Sequence, residues 1–308
     1  MIVTCSRDRL QSLGSRDLSD AMERGNIVFF PESPVPFPEE ADLEFLREEM
    51  PRHMKRKNIS YHPEVDRVVG VGHRPEVVDR AAGVLRDHLA RVREFLERAI
   101  PTLARGWTVG TSSFRPLQER GRSLSAHASN ERVHVDAGAY GATHGNRILR
   151  FFMNANRSED RVWISKGAFP EVYRRYGEAA GIAPGEGRDL RGGLPDRLRT
   201  GMLGTFARMG LPMARLLDSS PYDRLMRRFH NFMKDTPEFQ NAPEGHREFS
   251  FPPFSAWMVF TDMVTHACTS GQHAFIDTFI IPLENCGLPE LSPHHILSQG
   301  SQPYNPAS

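Results

Sequence analysis

The stretch NRILRFFMNAN, Asn146 to Asn156, constrains the fold more than any other part of the chain. Side chains of a strand point alternately to its two faces, so Leu149, Phe151 and Met153 share one face while Ile148, Arg150, Phe152, Asn154 and Asn156 share the other. The first face is wholly apolar and has to be covered. The second carries a guanidinium and two amides, so it is expected to look into a polar cavity rather than a solid core.

Other segments repeat the strand pattern. WTVGTSSFRP from Trp107, ERVHVDA from Glu131 and DRVWIS from Asp160 run in branched and aromatic residues between Gly-, Ser- and Asn-rich turns. FPPFSAWMVFTD from Phe251 and MVTHACTSGQHAFIDTFIIP from Met263 do the same near the C-terminus. Four parts of one integrated domain follow: 1–106 as an N-terminal cap, 107–177 and 248–308 as two halves of a β core, and 178–247 as an insertion. In the cap, Ile27 to Phe30 reads as a single strand delivered to a sheet, closed by Pro31. From Pro75 to Ile100, Val78, Ala81, Leu85, Leu89, Val92, Leu96 and Ala99 recur every three or four positions, which predicts an amphipathic helix of about seven turns.

The insertion opens with GIAPGEGRDLRGGLP and turns helical afterwards. Residues 199–217 set Met202, Leu203, Phe206, Met209, Leu211, Met213, Leu216 and Leu217 between Arg199, Arg208 and Arg215. Such a segment is either a surface that meets a lipid interface or ordinary packing onto the main domain. A second helix is expected from Pro221, capped by Ser219 or Ser220 and burying Leu225, Phe229, Phe232 and Met233.

A net charge of +1 over 308 residues argues against a nucleic-acid partner, and nothing in the sequence calls for a protein partner. Cys5, Cys268 and Cys286 form no CxxC pair and no secretory leader precedes them, which suits the cytosol and a metal site without thiolates. No apolar run reaches the roughly 18 residues that span a bilayer.

Within ERVHVDA, His134 and Asp136 stand two residues apart, so an extended chain offers one imidazole and one carboxylate to a single point while Val133, Val135 and Ala137 turn away. Two protein ligands hold a catalytic ion poorly. A distant His would complete the 2-His-1-carboxylate triad of non-haem Fe(II), which leaves positions open for oxygen and a co-substrate. His266 sits in an apolar, branched run about 130 residues further on, the separation by which a double-stranded β-helix joins its first and penultimate strands. The expected class is therefore α+β: a jelly-roll, cupin-like core with a helical cap and a helical insertion. His273 is the rival ligand, placed just beyond the strand end by the turn at Ser270-Gly271, while His127 and His144 lie in loops and read as exposed. The bland alternative is a His-Asp pair that merely hydrogen-bonds on a sheet, because a chain with 13 His contains some version of this pattern by chance.

Arginines weigh against that alternative. An Fe(II) enzyme that activates O2 needs electrons, and 2-oxoglutarate supplies them by binding the metal through its keto acid and losing carbon dioxide. Its far carboxylate needs a cation, which the guanidinium fork suits best. In many such enzymes the anchor follows the distal His by about ten residues, but that position is Ile276 here, and neither Lys nor Arg occurs from Ala267 to Ser308. Arg150 and Arg161, then Arg115, are the candidates, with Asn154 beside Arg150 and the Trp163 ring walling the pocket. For any one of them alone the alternative is a surface or interstrand salt bridge.

Together, SFRP (Ser113 to Pro116), HVD (His134 to Asp136), NRILRFFMNAN, RVW (Arg161 to Trp163), KNISY (Lys57 to Tyr61) and THACTSGQ (Thr265 to Gln272) resemble the Kdo hydroxylase family. The resemblance implies an Fe(II)- and 2-oxoglutarate-dependent dioxygenase that uses O2 to hydroxylate C3 of the 3-deoxy-D-manno-oct-2-ulosonic acid (Kdo) linked to lipid A. The segment HAFIDTF departs from the family where a Glu-Gln pair is expected before Thr-Phe, and the insertion is long; both bear on substrate detail. Hydroxylation of another acidic sugar or lipid stays open, as does a cupin-like protein that binds metal or sugar without redox chemistry. Arg52, Lys55, Lys57 and Asn58 lie in a basic segment that is either a solvated loop or part of the capture of an acidic, lipid-linked sugar. A cytoplasmic enzyme in peripheral contact with the inner membrane is the corresponding expectation.

Overall fold

The computed structural model describes residues 1–14, 16–72, 74–138, 141–183, 186, 190 and 219–299. Its strands are β1 (Ile2–Thr4), β2 (Ile27–Phe30), β3 (Ile59–His62), β4 (Arg67–Val69), β5 (Thr108–Arg115), β6 (Arg147–Asn154), β7 (Arg161–Ser165), β8 (Arg247–Phe251), β9 (Ala256–Phe260), β10 (Ala267–Ser270) and β11 (Ala274–Ile281). Eight of them make one sheet in the order β1-β2-β9-β6-β11-β5-β3-β4, in which β1 and β2 are parallel and every other neighbouring pair is antiparallel. The remaining three form an antiparallel sheet, β10-β7-β8.

The alternation of β6 explains how these layers stack. Leu149, Phe151 and Met153 join the large core cluster beneath the helix Pro75–Ala99, whose Val77, Ala81, Leu85, Leu89, Val92, Phe95 and Leu96 are buried against them. Phe95 packs at 5.7 Å from Phe151 and 5.8 Å from Phe30, ring centre to ring centre, so the apolar stripe of the helix seats on the outer face of the large sheet. Val77 rather than Val78 is the buried residue of the first turn. On the inner face, Phe152, Trp257, Val259 and Ile276 of the large sheet meet Trp163, Phe251 and Cys268 of the small one in a separate cluster. Two sheets enclosing an inner layer, with the helix outside, make the expected jelly-roll arrangement.

Two features differ from the sequence reading. The N-terminal residues are not only a cap, because β1 and β2 lie at one edge of the large sheet and β3 and β4 at the other. ERVHVDA is not a strand of a ladder: its only β-bridge pairs His134 with His266. The expected helix over 199–217 lies outside the described residues. Its successor runs from Pro221 to Asp235, and the cap is Ser220, which forms a reciprocal capping box with Asp223. Asp223 also accepts hydrogen bonds from the Thr143 N–H at 2.7 Å and hydroxyl at 3.0 Å, which ties this helix to the loop before β6.

Beneath the long helix, His88 Nε2 lies 2.9 Å from Asp277 Oδ2 on β11, both side chains being fully buried, and the imidazole stacks on Phe275 at 4.1 Å. This pair fixes the rotation of the helix on an otherwise apolar face. Replacing His88 by Leu leaves the carboxylate without its partner and should lower the unfolding free energy by about 3–5 kcal/mol, read from denaturant midpoints. The His88→Leu, Asp277→Leu double variant should recover much of that loss; a double variant as unstable as the single one would show that the pair itself matters little.

Candidate metal centre

The main chains of His134 and His266 exchange hydrogen bonds, N–H to O=C at 3.1 Å one way and 2.8 Å the other, immediately before β10. Directly paired residues on neighbouring chains put their side chains on one face. The two imidazoles accordingly lie with ring centres 4.7 Å apart. Two residues on, the Asp136 N–H donates to the Thr261 carbonyl at 2.8 Å, which anchors the third side chain to the end of β9. Ligand atoms of His134, Asp136 and His266 all lie within 4.8 Å of one another, and all three residues are buried.

Each imidazole is oriented by the same local device. His134 Nδ1–H donates to the Arg132 carbonyl at 2.7 Å and His266 Nδ1–H to the Val264 carbonyl at 2.9 Å, so each ring folds back onto the residue two before it. A carbonyl can only accept, hence Nδ1 carries the proton and Nε2 presents a lone pair. Burial lowers the pKa of both imidazoles, that of His134 well below its ordinary value, with His266 and then Lys234 adding to the effect at His134, and Arg150 and then Lys234 adding to it at His266. Burial alone would raise the Asp136 carboxyl, but Arg150 and then the two imidazoles outweigh it and hold the acid ionised. Arg150 Nη2 stands 2.9 Å from Asp136 Oδ2, at an angle that leaves this oxygen without a hydrogen bond. Two neutral imidazoles and a carboxylate with a spare oxygen suit a divalent ion that takes mixed nitrogen and oxygen donors.

The triad opens into a cavity of about 220 Å³. Arg115 at the end of β5, Arg150 on β6 and Arg161 on β7 all line it, as do Trp163, Phe152 and Ile276. Trp163 stacks on the His266 ring at 5.1 Å, so one aromatic face both walls the cavity and braces this imidazole. Behind the guanidiniums sits Glu119, 1% exposed, with Oε1 at 3.0 Å from Arg115 Nη1 and 3.4 Å from Arg161 Nη2 and with Oε2 accepting from the Asn130 amide at 3.0 Å. Burial acts to raise this carboxyl; Arg115 and Arg161 overcome it and bring the pKa down to about 2. The Nε–H groups of Arg115, Arg150 and Arg161 find no acceptor among the described residues. Three guanidiniums with donors to spare, Arg161 buried and Arg115 and Arg150 partly so, are suited to a dicarboxylate.

Not every residue singled out by sequence reaches this space. Asn154 spends its amide on the Glu159 and Phe251 carbonyls and its oxygen on the Asn156 N–H, clamping the β6–β7 turn outside the cavity. Arg52 lines a different groove with Glu48 and Glu49, Lys55 is exposed, and Asn58 donates to Ser60, whereas Lys57 does line the cavity. His273 falls in the β10–β11 turn with φ +57°, its ring stacked on Phe114 at 6.4 Å and away from the triad. Glu119, Asn130, His230 and Lys234 escaped the sequence reading. His230 and Lys234 stand four apart on the helix Pro221–Asp235 and share a face, a spacing legible in the sequence but indistinguishable there from a solvated stripe. His230 Nδ1–H donates to the Val135 carbonyl at 2.7 Å and its ring lies 5.0 Å from that of His134. His127, exposed as expected, nevertheless lines the cavity and pairs with Asp235 at 2.7 Å.

Comparison with solved structures gives this geometry a context. Three crystal structures of the Kdo hydroxylase KdoO, a non-haem Fe(II) α-ketoglutarate-dependent dioxygenase, are similar to the chain at 28% identity. They are the complexes with α-ketoglutarate and Fe(III), with cobalt(II), and with succinate and Fe(III), superposing with TM-scores of 0.76, 0.77 and 0.75. The similarity covers 95% of this chain and 92%, 93% and 92% of the respective KdoO chains. No curated protein sequence matches the chain. The sequence profile of 3-deoxy-D-manno-oct-2-ulosonic acid (Kdo) hydroxylase matches residues 7–302, nearly the whole length, and the chain belongs to that family.

Proposed function

We propose that this protein is an Fe(II)- and 2-oxoglutarate-dependent dioxygenase that hydroxylates C3 of Kdo, with His134, Asp136 and His266 holding the iron and Arg115, Arg150 and Arg161 receiving the co-substrate. The observation that carries the reading is the convergence of three ligand atoms within 4.8 Å in a cavity lined by three arginines, in a chain of the Kdo hydroxylase family. When bound, Fe(II) and 2-oxoglutarate supply the activation of O2, with succinate and carbon dioxide as co-products.

The protein's own residues supply position and environment. The Arg132 and Val264 carbonyls hold both imidazoles in the tautomer that presents Nε2. Arg115 and Arg161, steadied by Glu119, offer forks to the far carboxylate, and Arg150 offers its charge beside Asp136. Phe152, Trp163, Ile276 and Cys268 give an otherwise charged and polar cavity one apolar side, which strengthens the charge interactions next to it.

The metal assignment is tested by titrating cobalt(II) into the protein. Ala at His134, Asp136 or His266 should abolish tight binding and oxygen-dependent succinate formation, while His273→Ala should keep both. Because burial keeps the two imidazoles neutral below the ordinary value of about 6.5, wild-type affinity should stay nearly flat as pH falls from 8 through 6.5. A steep loss beginning above pH 7 would contradict the assignment.

For the co-substrate, removing a buried bidentate partner costs about 2–5 kcal/mol, so Ala at Arg115, Arg150 or Arg161 should raise the Michaelis constant for 2-oxoglutarate well over tenfold. An unchanged constant in all three variants would exclude these arginines.

Among the described residues no helix is long and apolar enough to cross a membrane. The apolar, arginine-bordered sequence of residues 199–217 supports peripheral contact with the cytoplasmic face of the inner membrane, where a lipid-linked Kdo would be reached. Reversible flotation with anionic vesicles, lost when Phe206 and Leu211 become Asp, is the expected result. Equal turnover of free and lipid-linked Kdo would argue against it, since the lipid would then add no binding.

A further inference from the structure

Five cations line the cavity: Lys57, Arg115, Arg150, Arg161 and Lys234. Two carboxylates answer them, Asp136 at Arg150 and Glu119 at Arg115 and Arg161, which leaves a surplus of three positive charges. Fe(II) and the 2-oxoglutarate dianion carry equal and opposite charge, so loading both leaves that surplus in place. Buried charge without a counterion is costly, and a cavity that retains it after metal and co-substrate are bound is prepared for a further anion.

Two of the five have no carboxylate partner among the described residues. Lys234, 3% exposed in the last turn of the helix Pro221–Asp235, donates to the His127 carbonyl at 3.0 Å and the Ser129 carbonyl at 2.9 Å. Lys57, just before β3, donates to the Ala128 carbonyl at 2.8 Å. Elements far apart in sequence thus bring two ammoniums onto one three-residue stretch beside the triad. An ammonium has three donors, so Lys57 keeps two and Lys234 one for another acceptor. Burial, with Arg115 next, lowers Lys57 to about 8, and burial lowers Lys234 as well, a condition that an incoming anion would relieve.

We propose that Lys57 and Lys234 form a second anion subsite in this cavity, which takes an oxyanion of the acidic-sugar substrate. The proposal rests on the hydroxylase reading and adds the group by which an acidic sugar is told from a neutral one. Carboxylate and phosphate present the same charge-assisted acceptors, and a Kdo linked to lipid A carries both.

The test uses the cobalt(II)- and 2-oxoglutarate-loaded protein, and the iron enzyme in parallel, with the methyl glycoside of Kdo and its methyl ester as probes. Lys57→Gln and Lys234→Gln should each weaken calorimetric binding of the acid, and raise its Michaelis constant, by about tenfold or more, while the constant for 2-oxoglutarate moves by less than about twofold. Esterification should cost the wild type a similar factor and cost the variants little more, because the interaction is already gone. If the phosphates are the source, the ester will behave as the acid, and dephosphorylating lipid-linked Kdo will instead abolish the difference between wild type and variants. Losses that add independently of both substrate changes, or a raised constant for 2-oxoglutarate alone, would overturn the subsite and leave the lysines as braces of residues 127–129. Absence of oxygen-dependent succinate from the wild-type enzyme would sink the hydroxylase reading separately, and the calorimetric comparison of acid and ester would still decide the subsite.

Discussion

The reciprocal main-chain hydrogen bonds between His134 and His266 are the constraint on which the centre depends. They join residues far apart in sequence, they form a single isolated bridge rather than part of a ladder, and they set both imidazoles on one face. The carbonyl two residues before each histidine then fixes its ring. Backbone geometry decides the position of both imidazoles, and side-chain freedom contributes little. Asp136 follows because its own N–H is held by Thr261, so three anchors on the main chain preorganise three side chains. A metal binding there need not order the chain first.

The same interior carries a cost that only ligands relieve. Arg161 is 2% exposed and Lys234 3%, each desolvated with incomplete pairing. Glu119 is the main compensation, one carboxylate that pairs with Arg115 and Arg161 through one oxygen and with Arg122 at 3.7 Å through the other. Replacing Glu119 with a neutral residue would leave two buried cations facing each other, so its role is structural and electrostatic at once. An anion that pairs with these cations stabilises the fold, in the way of any ligand that binds only the native state.

How much of this was legible in the sequence depends on whether periodicity or topology carried the information. The two faces of β6 and the stripe of the helix Pro75–Ala99 follow from local spacing, and they placed the core and the cavity wall correctly. The convergence of His134 and Asp136 was legible because side chains two apart need only an extended chain to share a face. His266 was legible through its distance from them and its apolar surroundings, and His273 was set apart by the turn that precedes it. Asn154 was misread because period two predicts a face but not how far along it the cavity extends; the residue lies at the end of β6, where its amide serves the turn. Glu119 and Lys234 were illegible for a different reason. Each lies in a loop or on a helix whose approach to the cavity is fixed by tertiary packing, and no spacing within the sequence distinguishes them from surface charges. Strands β1, β3 and β4, at or next to the two edges of the large sheet, are as short as β2 but, unlike its wholly apolar IVFF, each contains a polar residue, so neither a period nor an apolar run marks them.

Ile276 of β11 stands between two of the cavity's arginines, which lie on the neighbouring strands. On β11, Ile276 faces Ser113 of β5 and Phe152 of β6, while Arg115 faces Ala274 and Arg150 faces Thr278. Both arginines are therefore diagonal neighbours of Ile276, on opposite sides of it and at opposite ends, with backbone separations of about 7–8 Å. A guanidinium reaches that far, so two flanking side chains cover the volume that one basic residue at position 276 would fill. The small Ala274 and Thr278 leave them room, and Ile276 itself becomes part of the apolar floor between them. Moving the charge from β11 to its neighbours places one guanidinium within reach of Glu119 and the other within reach of Asp136. Two strands share the task, and the cavity gains a fork from each side.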